Sequence, residues 1–103
     1  MRMLTVGRMG GPLAEASRLA MDQGVRVLSA EGLTEALSVL RNGRGVDVVL
    51  VEVHQPIARF VASLNQERIA VPVIACGTGS DTRAAVTAIQ AGAKDYIPLP
   101  PNA

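Results

Sequence analysis

The sequence is short of the residues on which most site chemistry is built. It has one cysteine, one histidine, one tyrosine, one phenylalanine and no tryptophan. A single cysteine excludes an intramolecular disulfide, and one cysteine with one histidine cannot form a structural zinc site. So few aromatics leave no platform for stacking nucleic-acid bases. Charged residues make up 18% of the chain, and ten basic against nine acidic residues leave a net charge of +1, too little for a nucleic-acid footprint. The apolar runs fall well short of a membrane span, and no signal peptide is recognisable. What is abundant is apolar: 49% of the 103 residues, enough for one well-buried domain and against disorder.

Five β-rich runs recur at a spacing of about 20–25 residues, the period of βα units. They are Met3–Val6, Val25–Leu28, Val46–Val53, Val71–Cys76 and Tyr96–Ile97. The third and fourth do not alternate polar with apolar, which predicts strands covered on both faces. Helical periodicity fills the intervals. Leu13, Ala16, Leu19 and Ala20 share a face over Pro12–Gln23, with Pro12 suited to a first turn and Gly24 to a C-terminal cap. Leu33, Ala36, Leu37 and Leu40 form a second stripe, closed by Asn42-Gly43, and Ile57, Phe60, Val61 and Leu64 a third. The fourth helix is expected to start near Ser80-Asp81, end at Gly92 and turn Ala85, Val86, Ala88 and Ile89 inward. The order β-α-β-α-β-α-β-α-β with right-handed crossovers gives an α/β fold, a doubly wound parallel five-stranded sheet. Residues 1–97 are read as the domain. Residues 98–103, with two adjacent prolines, are read as a linker or the start of a missing last helix.

Three ordered segments carry a family resemblance. Asp47-Val48-Val49-Leu50-Val51-Glu52-Val53-His54-Gln55-Pro56, Val71-Pro72-Val73-Ile74 and Gly92-Ala93-Lys94-Asp95-Tyr96-Ile97 resemble the third, fourth and fifth strand motifs of response-regulator receiver domains. The resemblance covers nearly the whole chain and implies the flavodoxin-like strand order 2-1-3-4-5, with the last helix absent. It also shows what is altered. The acidic pair that binds magnesium in that family corresponds to Gly7 and Arg8, the phosphoacceptor aspartate to Glu52, the Thr/Ser to Gly77 (with Thr78 beside it) and the lysine to Leu99. The switch aromatic is kept, as Tyr96. Phosphoryl transfer needs a divalent cation and hard oxygen ligands, and Arg8 places positive charge where a carboxylate should stand. Aspartyl-phosphate chemistry is therefore not expected, nor any metal or cofactor.

An ion pair between Arg8 and Glu52 is expected in place of the metal, since an arginine–carboxylate pair can be bidentate. The alternative is that both are separately solvated at the strand ends. The sequence is further similar to the flagellar branch of the NtrC-class, sigma-54-dependent activators, in which a degenerate receiver precedes an AAA+ ATPase and a helix-turn-helix domain. No Walker A segment occurs in this chain. The resemblance implies a cytoplasmic, phosphorylation-independent module acting by protein–protein contact on its own ATPase and DNA-binding domains, with a FliX-like regulator in place of a kinase. With one sheet face short of a helix, self-association through that face or the surface of the fourth helix and fifth strand is expected. Two other functions remain open from the residues. The glycines of Gly7-Arg8-Met9-Gly10-Gly11, with Glu31 after the second strand, suit a small-molecule or nucleotide-binding module, or simply a tight turn. Cys76 and His54 could pair in an enzyme, or be a small core residue and a solvated imidazole.

Overall fold

In the computed structural model, residues 1–8, 11–43, 45–78 and 82–99 are described. Five strands alternate with four helices: β1 (Arg2–Val6), α1 (Gly11–Asp22), β2 (Arg26–Ala30), α2 (Leu33–Arg41), β3 (Val48–Glu52), α3 (Ile57–Gln66), β4 (Val73–Thr78), α4 (Thr82–Gln90) and β5 (Asp95–Leu99). All strand pairs are parallel, in the order β2-β1-β3-β4-β5. The fold class read from the sequence is thus the one observed. The register sets Val6 beside Ala30 and Val51, and Glu52 beside Cys76. The carboxyl ends of β1, β3 and β4 therefore meet at one edge, where α/β sheets place their sites.

The two sheet faces are covered unequally. On one, α2, α3 and α4 pack Ala36, Leu37, Ile57, Phe60, Leu64 and Ala88 against Leu4, Val6, Val49, Val51, Val73 and Ala75. On the other, α1 supplies Leu13 to a smaller cluster with Leu50, Cys76 and Leu99. Phe60 is fully buried at the centre of the larger core. Burial of so large an apolar side chain contributes about 1.5–3 kcal/mol.

Three helices end in the same way. The amide two residues past the cap donates to the carbonyl of the last inward-turned residues: Val25 to Ala20 (3.0 Å), Ile69 to Leu64 (2.9 Å) and Ala93 to Ala88 (3.1 Å). This closure needs one residue at positive φ. Gly24 (φ +88) and Gly92 (φ +116) supply it after α1 and α4, and the non-glycine Arg68 (φ +56) after α3. At the start of α2, where Gly32 has no side chain to cap with, Glu35 reaches back to accept the Glu31 N–H at 3.0 Å.

Two boundaries differ from the sequence reading. β5 runs on through Pro98 to Leu99. Pro98 is tolerated because β5 is the edge strand and its missing N–H faces no partner. The residues read as a linker from 98 onward thus begin inside the sheet, and 100–103 lie outside the described residues. In α4, Val86 and Ile89 are 48% and 45% exposed, whereas Ala88 is buried and Ala84, Ala85 and Ala91 are partly covered. The small side chains, not the large ones, face the sheet. The capping residues Ser80 and Asp81 lie outside the described residues, as do Met9 and Gly10 of the glycine-rich loop.

Candidate functional site: a crevice filled from within

Glu52 is the last residue of β3 and its carboxylate stands at the sheet's carboxyl edge. The turn that follows is tightly tied. Val53 N–H donates to the Cys76 carbonyl (2.8 Å), Gln55 N–H to the Glu52 carbonyl (3.0 Å) and Ile57 N–H to the Gln55 carbonyl (2.8 Å). One carboxylate oxygen of Glu52 accepts the His54 backbone N–H at 3.1 Å, and the other pairs with the His54 ring at Nδ1. His54 is 85% exposed and Glu52 25%, so the imidazole lies over the carboxylate from the solvent side.

This corrects the expected Arg8–Glu52 pair. Arg8 is exposed, and the Glu52 carboxylate is paired with His54. The physical reason is local. His54 sits on the same tight turn as Glu52, so its ring is brought to the carboxylate with little further loss of freedom. Arg8 would have to order a long side chain across to another strand.

Gly7 and Gly77 shape the rest of the crevice. Gly7 has φ +142, and a Cβ there would lie 2.8 Å from the Glu52 Cβ. Gly77 lies on β4, where a Cβ would be 2.7 Å from the Tyr96 hydroxyl and 2.7 Å from Val53 Cγ1. Glu52 thus leans into the space of a side chain at 7, and Tyr96 reaches into the space of one at 77. Leu99 is buried with Leu13, Leu50 and Cys76, making that end of the crevice apolar. Thr78, one residue beyond Gly77, is exposed.

These residues do not fit a magnesium ion. Position 7 offers no side-chain oxygen, Arg8 is cationic, and the Glu52 carboxylate is engaged by His54. Among the described residues there is no group of three or more His, Cys, Asp or Glu placed to hold a metal. Nor do Cys76 and His54 form a nucleophile–base pair. Cys76 is buried and its pKa is pushed up to about 12, first by burial and then by the Glu52 charge. The His54 ring is committed to Glu52.

In the sequence, His54 stands two residues after Glu52 but reads as a candidate catalytic partner of Cys76. The usable signal was the i, i+2 spacing across a strand-to-helix turn ending in Pro56. The contact between Gly77 and Tyr96, 19 positions apart in the chain, had no local signal.

No protein-family model matches the chain. Over all 103 residues it is 44% identical to the transcriptional regulatory protein FlbD of Caulobacter vibrioides, of which it spans 23%. Its fold is that of response-regulator receiver proteins. A response regulator from Chloroflexus aurantiacus superposes with a TM-score of 0.79 at 22% identity, covering 97% of this chain and 86% of that one. NtrX from Brucella abortus, solved with ADP, gives 0.73 at 21% identity over 94% of this chain and 22% of its own. An atypical orphan response regulator, described as having a phosphorylation-independent regulatory mechanism, gives 0.74 at 21% identity over 95% of this chain and 81% of that one.

Proposed function

From a chain that is FlbD-like along its whole length and folded as a receiver domain, we infer a regulatory module that works without phosphorylation. It belongs to a sigma-54-dependent flagellar transcription activator in the cytoplasm and controls that protein's ATPase and DNA-binding domains by direct contact. Those domains lie outside this chain. A FliX-like regulator acts on the module where a kinase would otherwise act. The degenerate positions Gly7, Arg8, Glu52, Gly77 and Leu99 are the residues that replace the phosphorylation chemistry, and Tyr96 is the aromatic through which the crevice meets the surface of α4 and β5.

The observation that carries this reading is that the Glu52 carboxylate is already satisfied from within, by the His54 amide and ring. An acyl phosphate on Glu52 would require breaking both contacts, with no metal ligand at 7 or 8 to offset the phosphoryl charge. The phosphorylation-independent mechanism ascribed to one protein of this fold is in keeping with it. Incubation with magnesium and acetyl phosphate, followed by intact-mass spectrometry, is expected to leave the mass unchanged. An acyl phosphate on Glu52 would overturn the reading.

The less covered sheet face bears on partners. Met3, Leu19, Leu50, Ile74, Ile97 and Leu99 line an apolar groove beside α1, and Ile97 is 39% exposed. Either neighbouring parts of the longer protein or a second copy of this chain covers it.

A further inference from the structure

Tyr96 lies opposite Ala75 in the β4–β5 register. Its phenol nevertheless reaches two residues further along β4, to Gly77. There the hydroxyl oxygen and Val53 Cγ1 each come within 2.7 Å of where any β-carbon would stand. Separations that short are essentially never adopted by a real side-chain carbon, so the volume belonging to residue 77 is shared between the Tyr96 ring and Val53. The ring is partly buried against the main core, which includes Ala88 of α4. Val53 is itself held in place, by its amide on the Cys76 carbonyl and by the Glu52–His54 turn on either side of it.

We propose that Gly77 is a positioning residue: by having no side chain it keeps the Tyr96 ring turned in across β4, and the face built by α4 and β5 holds one shape with no covalent change at Glu52. This rests on the reading of the chain as a contact-driven module and adds what sets its contact face. The ring is wedged, not poised, because the space it fills is emptied by a residue type and not by a ligand. Any side chain at 77 must push the phenol outward, past α4, and expose the surface now covered by it.

The chain carries one tyrosine and no tryptophan, so the phenol is its own reporter. Acrylamide quenching of tyrosine fluorescence is expected to be weak in the parent chain and to rise severalfold in Gly77→Ala, while far-UV circular dichroism is retained. Equal quenching in the two folded proteins would overturn the proposal. Where Gly77→Ala alone unfolds the chain, the same substitution is made in Val53→Ala and in Val53→Ala/Tyr96→Ala backgrounds. Its cost in melting temperature should largely vanish in the second, where the ring is gone. An equal cost in both backgrounds would sink the idea. An acyl phosphate on Glu52 defeats the proposed function and leaves these quenching values untouched, so the two failures are separable.

Discussion

Gly7 shows how far one missing side chain constrains a site. Its Cα is approached so closely by Glu52 that a Cβ there would meet the Glu52 Cβ at 2.8 Å, and its φ of +142 disfavours every other residue. Restoring a carboxylate by Gly7→Asp is therefore expected to destabilise the chain by about 1–3 kcal/mol, without creating magnesium affinity. Urea denaturation and isothermal titration with magnesium check the two halves. Cys76 offers a second test at this scale. Its pKa is pushed up to about 12 by burial, so the folded chain keeps the thiol proton where the unfolded chain, ionising near 9.0, has lost it. The unfolded state then binds fewer protons, and stability falls as pH rises from about 9 toward 12. Cys76→Ala should lose less stability than the parent over that window in denaturant titrations at stepped pH. Iodoacetamide should label Cys76 only after denaturant is added.

Among the elements, α3 is the one with an imperfect ending. Its Schellman-type closure is made with Arg68 at φ +56, where α1 and α4 use Gly24 and Gly92. An L-residue in that conformation costs roughly 1–2 kcal/mol, partly offset by the greater unfolded freedom of glycine. Arg68→Gly is thus expected to raise the stability by about 0.5–1 kcal/mol, seen as a rise in melting temperature of a few degrees. The neighbouring Glu67 is held below its usual pKa by hydrogen bonds from the Arg41 guanidinium, at 2.6 and 2.7 Å. Both groups are exposed, so this bridge between the ends of α2 and α3 orients more than it stabilises. Helix α4 makes the complementary prediction. Val86→Ser and Ile89→Ser should change stability by no more than about 0.5 kcal/mol, whereas Phe60→Ala, at the centre of the core, should cost about 3–5 kcal/mol.

Across the whole molecule, the asymmetry of the sheet's cover is the feature with consequences. Three helices pack on one face and, among the described residues, α1 on the other. The exposed Ile97 sits in the resulting apolar groove. If a second copy covers it, sedimentation of the chain should show a mass that rises with concentration, and Ile97→Lys should return it to the monomer value. Element order was legible beforehand because it follows from local signals: continuous apolar runs such as Val48–Val51 demand cover on both faces, and stripes such as Ile57, Phe60 and Leu64 demand helices, whereas the strand order came with the family resemblance. The orientation of α4 was not legible, since Ala84, Ala85, Val86, Ala88, Ile89 and Ala91 are apolar most of the way round and periodicity selects no face. Packing selected it, by turning the alanines toward the sheet.

By itself, the sequence determined the alternating βα architecture, because strand runs and helical stripes are a matter of which residue type stands at a given place in a local pattern. Only the tertiary structure decided that Glu52 takes His54 instead of Arg8, that Glu52 leans into the space at Gly7 and that Tyr96 fills the space at Gly77. Those choices depend on distances of a few ångströms between groups carried on different strands and turns, and such distances exist only once the sheet has closed its register.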